Sequence, residues 1–140
     1  MQENIEIRIR TIRILWLALF LSVGIYYGVT FYILRPDNPP NATLFLVLAA
    51  VSVTMVLASF IVKNNFLSRA AQQQQLPLVQ QGYIVACALA EVPALLGLLD
   101  FFATGNDYYY VLFIISALGM LLHFPRRDHV LNAAYKHPGF

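Results

Sequence analysis

Glu91 stands alone in an apolar stretch from Gly82 to Phe102, 21 residues long and therefore long enough to cross a bilayer. An ionised carboxylate at that depth costs roughly 2.5–3.5 kcal/mol on insertion scales. Something must offset that cost: a hydrogen-bonding partner, a water-filled path, or a proton on the carboxyl itself. A carboxyl that gains and loses a proton inside a membrane is a candidate proton or cation site. The other residues matter first for what they bring to Glu91.

Residues three and four apart share a helix face, so Cys87, Glu91, Ala94 and Leu95 form one strip. Beside it, Gly82, Ala86, Ala90 and Ala94 make a ladder of small residues at fours. Such ladders let another helix approach closely, and bundle packing is their ordinary role. Pro93 has no N–H to give, so the Leu89 carbonyl loses its helical partner. A protonated Glu91 could donate to that carbonyl or a neighbouring one, and the proline could bend the helix enough to admit water. On the competing reading, Pro93 only kinks the helix and Glu91 bonds to a hydroxyl on another helix. Ser22, Ser52, Thr54 and Ser116 lie nearest in depth, and Ser59 is also available.

The remaining ionisable groups attract milder expectations. Asp100 and Asp107 fall at one end of their spans and should meet water. His123 precedes Phe124-Pro125-Arg126-Arg127-Asp128-His129, where it should help anchor a helix at lipid headgroups. Histidine titrates near neutrality, so a proton-relay role is the alternative, although His123 lies about half a membrane from Glu91.

Four apolar runs must position these groups: 14–34, 43–62, 82–102 and 108–124. The first three hold about 20 residues each and the last about 17, at the short limit for a span. The first run is too long for the core of a signal peptide, and its tyrosines leave no small-residue cleavage site, so it reads as a retained helix. Hydrophobic residues make up 59% of the 140 and charged residues 11%, against roughly 25% charged in soluble domains. The expectation is an all-α integral membrane protein, one domain of four transmembrane helices arranged as two hairpins. Eight of nine Lys/Arg residues precede the first span, follow the second or follow the fourth, leaving only Arg35 opposite. The positive-inside rule then puts both termini and the 63–81 loop in the cytoplasm, with the chain in the cell membrane. Prolines at 36, 39 and 40 break the first outer loop. Tyr26, Tyr27, Tyr32 and Tyr108 to Tyr110 should form an outer aromatic belt, with Trp16 at the inner one. Gln72 to Gln75 fit helical extensions around a short turn, interrupted by Pro77. Asn41-Ala42-Thr43 matches a glycosylation sequon abutting the membrane.

Several classes are excluded or disfavoured. A net charge of +2 with no basic run among aromatics argues against nucleic acid as a partner. The single cysteine, Cys87, permits no intrachain disulfide. No metal-ligand spacing and no phosphate loop appear, so no metal or cofactor is expected. No nucleophile, base and orienting group can be assembled, so an enzyme is not expected. The two halves look weakly alike. Val23 aligns with Val92 and Gly28 with Gly97, which sets Ser22 at the place of Glu91.

The string Ala90-Glu91-Val92-Pro93-Ala94-Leu95-Leu96-Gly97-Leu98 resembles the carboxylate-bearing helix of the c-subunit proteolipids of rotary ATP synthases and vacuolar-type ATPases. There an acid follows a small residue, with a glycine six positions later, as with Glu91 and Gly97. Arg69-Ala70-Ala71-Gln72-Gln73 lies about where that family carries its polar loop. The resemblance covers residues 43–102 and implies a helical hairpin whose Glu91 carries a proton or cation, in a homo-oligomer or against a partner channel. The alternative is a non-enzymatic membrane scaffold or accessory subunit that packs on partner proteins through its small-residue faces. In both readings the bilayer is the first partner.

Overall fold

A computed structural model describes residues 2–135. Five α-helices follow one another: α1 (Gln2–Tyr32), α2 (Ala42–Gln73), α3 (Leu76–Ala103), α4 (Tyr110–Leu122) and α5 (Arg127–Ala134), with a 3-10 turn at Asp107–Tyr109 before α4. The protein is all-helical, with no strand among the described residues. Three helices, α1 to α3, are long and apolar enough to cross a membrane, and a fourth crossing requires α4 and α5 to count as one broken span.

Local signals explain the helix ends. The Asn41 side chain caps α2, accepting from the Leu44 amide at 3.0 Å, just after Pro39-Pro40 has blocked any earlier start. This is the work the sequon asparagine performs in the fold. Gln74 closes α2 in the left-handed conformation at φ 52°, a backbone state that costs a non-glycine residue about 1 kcal/mol. Pro77 sits in the first turn of α3, where its missing N–H would have had no helical partner anyway. It therefore starts α3 and does not interrupt it, contrary to expectation. The expected 63–81 loop shrinks to a turn at Gln74 and Gln75, because both helices run beyond their apolar spans.

The fourth run also differs from expectation. α4 holds 13 residues, about 20 Å at ~1.5 Å per residue, short of a hydrocarbon core of about 30 Å. Pro125 cannot continue it, and α5 leaves at 45° to the preceding segment.

The helices alternate in direction, which segregates charge. At one end the 33–41 loop folds over the 103–107 turn: Asn38 donates to the Phe102 carbonyl at 3.0 Å, and Gly105 to that of Pro39 at 3.3 Å. A Cβ at Gly105 would lie 2.1 Å from the Asn38 carbonyl oxygen, so only glycine permits this closure. Arg35 is the one Lys/Arg residue there. The start of α1, the α2–α3 turn and α5 gather at the other end, linked by Arg8 to Gln80 at 3.2 Å and Tyr83 to His129 at 2.6 Å. Arg8, Arg10, Arg13, Lys63, Arg69, Arg126 and Arg127 all belong to that end, and Lys136 lies outside the described residues.

α3 is the axis of the bundle, with α1, α2 and α4 packed around it. Two apolar clusters hold it. Ile5, Ile9, Ile12, Val79, Tyr83 and Val130 join α1, α3 and α5 at the basic end. Val23, Cys87, Ala90, Ala94, Phe113 and Met120 join α1, α3 and α4 at mid-height. Trp16 belongs to the second cluster: it stacks on Phe20 and gives its Nε1–H to the Met120 carbonyl at 2.8 Å. It therefore ties α1 to α4, in contrast to the interfacial role expected of it, because an indole N–H inside the bundle must find an acceptor.

Candidate functional site

The four small residues of α3, Gly82, Ala86, Ala90 and Ala94, are all buried. A Cβ at Gly82 would fall 2.7 Å from the Phe66 Cβ of α2, so the α2–α3 approach depends on its absence. Gly97 faces α4, where a Cβ would lie 2.8 Å from the Phe113 ring. Cys87 is buried with Ala90 and Ala94 in the mid-height cluster. Leu89 is half-buried.

Glu91 is half-buried at the seam between α3 and α1. Its Oε1 lies 2.5 Å from the Ser22 hydroxyl, and the Tyr26 hydroxyl, one turn farther along α1, comes up to both groups. The proline-released carbonyl is not its partner. On the next residue, the Ala90 carbonyl accepts from Ser116 of α4 at 2.6 Å. Ser116 thus finds its acceptor in the carbonyl beside the one that Pro93 releases, and Glu91 turns toward α1.

The hydrogen count around Ser22 constrains the protonation of Glu91. Ser22 Oγ is within bonding distance of the Leu19 carbonyl (2.7 Å) as well as of Glu91 (2.5 Å). A serine has one O–H to donate and two lone pairs to accept with. If Ser22 donates to Leu19, the contact with Glu91 is a hydrogen bond only when the carboxyl carries a proton and donates it. If Ser22 donates to an ionised Glu91, the Leu19 contact goes unbonded. All the contacts are satisfied together in the protonated state.

Asp100 shows the same pattern and corrects the expectation that it meets water. It is 0% exposed, because the 33–41 loop folds over the end of α3 and the 103–107 turn. Thr104 Oγ1 accepts from the Asn106 amide at 3.2 Å and faces both the Asp100 carbonyl (3.0 Å) and Asp100 Oδ1 (2.9 Å). Its single proton cannot serve both. A proton on Asp100 completes the set, and Oδ2, which has no protein partner, then carries no full charge in a buried place. Asp107, by contrast, is open to solvent with 91% of its side chain exposed, paired with Arg35 at 2.8 Å. Arg35 also donates to the carbonyls of Thr104 and Asn106 and lies over the rings of Phe101 and Tyr109.

His123 is 0% exposed, which overturns its expected place at headgroups. Ser59 gives its proton to the Val56 carbonyl at 2.5 Å, so His123 Nε2–H donates to Ser59 at 2.9 Å. Nδ1 has no partner. The ring is wedged edge-on against Phe60. Nearby, Lys63 is also buried, with its ammonium over the rings of Phe60 and Tyr83. Tyr83 accepts from the Arg126 amide and donates to His129 Nδ1.

Among the described residues no group of His, Cys, Asp and Glu could hold a metal ion. Besides His123, sequence reasoning placed two features elsewhere: Tyr26, assigned to a belt, and Asp100, assigned to water. Both had a local signal: Ser22 and Tyr26, like Asp100 and Thr104, are polar pairs four residues apart, on one helix face. No family model matches the chain, and no curated protein or solved structure matches it. The expected resemblance to a proteolipid hairpin therefore rests on the residues quoted for it in α2 and α3 alone.

Asp100→Asn should leave the melting temperature in detergent nearly unchanged, because an amide keeps the size and can donate to Thr104. Asp100→Leu should lower it by the loss of one hydrogen bond, about 0.5–1.5 kcal/mol, since Thr104 keeps the residue-100 carbonyl and the Asn106 amide. A large loss from Asp100→Asn, measured by thermal unfolding, would mean that the ionised form is the one the fold holds.

Proposed function

We propose that this is a small multi-pass membrane proteolipid in which Glu91 takes up and releases a proton, or exchanges it for a cation, within the bilayer. The carrying observation is the hydrogen count at Ser22: two contacts of 2.5 and 2.7 Å on one hydroxyl are both bonded when Glu91 holds a proton. The half-exposure of Glu91 supports exchange, since a carboxyl sealed on all sides has no route for the departing proton. Function then resembles that of a c-subunit: the α2–α3 hairpin carries the acid, and a second copy or a partner channel supplies the path on the open side. The chain crosses four times, with α4 and α5 forming one broken crossing. Both termini and the Gln74–Gln75 turn face the cytoplasm of the cell membrane, as the gathering of basic residues at one end of the bundle favours.

A second reading has its own support. The Ser22 contact ties α1 to α3, so Glu91 could serve a scaffold by fixing the register of one helix on another. Hydrogen bonds between membrane helices average about 0.6 kcal/mol, enough to select a register and too little to hold a bundle together.

Orientation is tested by labelling from outside intact cells with a membrane-impermeant thiol reagent. Pro39→Cys should react and Gln73→Cys should not, and the reverse pattern would invert the topology.

The chemistry is tested with a hydrophobic carbodiimide, which attacks protonated carboxyls in apolar surroundings. In proteoliposomes it should modify Glu91 and spare the solvent-facing Asp107. Labelling should slow as the external pH rises, because an exchanging acid loses its proton to the medium. Glu91→Gln should abolish labelling at that position without loss of folding, and Asp100, at 0% exposure, should be closed to the reagent. Labelling that ignores pH, or a Glu91 that resists the reagent while Glu91→Gln lowers the melting temperature, would favour the scaffold.

A further inference from the structure

Outside the Glu91 site, the most strongly charged concavity is a groove of about 670 Å³ between the start of α1 and the start of α5. Arg10, Arg13 and Arg127 line it, with Glu6 as the one opposing charge among the described residues. Arg127 Nη2 and Glu6 Oε1 are 4.0 Å apart, with more than half of each side chain exposed, so this pair leaves most of the cationic surface unspent. Arg13 reaches over the Phe124 ring at 6.0 Å. Below the arginines the wall turns apolar through Ile14 and Leu17, which are 58% and 49% exposed.

We propose that this groove binds one anionic phospholipid of the leaflet at the basic end, with its headgroup phosphate among the three arginines and an acyl chain along Ile14 and Leu17. The inference rests on the membrane reading above. Charge complementarity selects an anion, since three guanidiniums face one carboxylate, and guanidinium forks match phosphate oxygens in pairs. The continuity of arginine with exposed aliphatic surface selects a lipid over a soluble polyanion, which would leave Ile14 and Leu17 uncovered. The height fits as well. Arg13 borders the apolar run that begins at Ile14, the level at which headgroups meet acyl chains. Arg8 takes no part because it is engaged by Gln80 on the far side of α1, and Arg69 projects from the end of α2. The groove is thus a site within a generally basic end.

Trp16, the single tryptophan, gives a local readout. It lies three residues past Arg13 on α1, with its ring edge-on to Phe124 at 5.1 Å. The full chain is placed in phosphatidylcholine vesicles containing a minor fraction of either brominated phosphatidylglycerol or brominated phosphatidylcholine, and quenching of Trp16 is measured. The anionic lipid should quench more at equal mole fraction. Arg10→Gln and Arg127→Gln should each lower its local enrichment by about fivefold. Arg10→Lys, which keeps the charge, should retain most of it and guards against a folding defect. Arg69→Gln should change nothing. Equal quenching by the two lipids, or a loss on Arg69→Gln as large as on Arg10→Gln, would overturn the site in favour of diffuse surface charge. Failure of both lipids to quench would instead overturn the membrane reading itself.

Discussion

An apolar medium offers no water to a polar group, so every donor and acceptor inside this bundle has to be answered by the bundle itself. That constraint governs the mid-height region. Ser116 answers the Ala90 carbonyl, Met120 answers the Trp16 indole and Ser59 answers His123. Each of these bonds joins two different helices, so satisfying the polar groups also fixes the helix registers. Glu91 is the most demanding member of the set, because the Ser22 hydroxyl it faces also lies within bonding distance of the Leu19 carbonyl. A proton on the carboxyl, as proposed, would let both contacts be bonded.

The small residues of α3 make those bonds reachable. With Gly82, Ala86, Ala90 and Ala94 buried, the neighbouring helices come near enough for short serine hydroxyls to span the gaps. Bulkier side chains would hold Ser116 away from the Ala90 carbonyl and leave its buried hydroxyl without that acceptor. Packing and polar satisfaction are therefore one design, in which the alanine ladder sets distances that the hydroxyls use. At the end of the bundle opposite the basic cluster, glycine has the corresponding role. Gly105 admits the 33–41 loop, the loop covers Asp100, and the covered acid is bonded by Thr104 in place of water.

Much of this was legible in the residues. The helical class, the apolar runs, the isolated acid and the segregation of Lys and Arg follow from composition and period, which depend on neighbours along the chain. The misses share a different dependence. Asp100 stands at the end of a run, where water is the default, and only the fold of a distant proline-bearing loop buries it. His123 lies beside a basic cluster, yet the break before α5 turns its ring inward onto Ser59. Tyr26 has the composition of an interfacial belt, but the rotation of α1 against α3 aims it at Glu91. Ser22 was one of several hydroxyls at the right depth, and helix rotation, which a uniformly apolar segment barely encodes, selects it. Pro77 was misread because a proline within a helix and a proline in its first turn look alike until the preceding turn is located.

The protonation of Glu91 can be observed directly. Infrared spectra of the protein in lipid at neutral pH should contain the carbonyl stretch of a protonated carboxylic acid in apolar surroundings. Part of that band should vanish in Glu91→Gln and shift in Ser22→Ala, because the Ser22 hydroxyl is its acceptor. The portion due to Asp100 should remain in both variants. A spectrum in which Glu91→Gln removes only carboxylate bands, leaving the protonated-acid band untouched, would contradict the account.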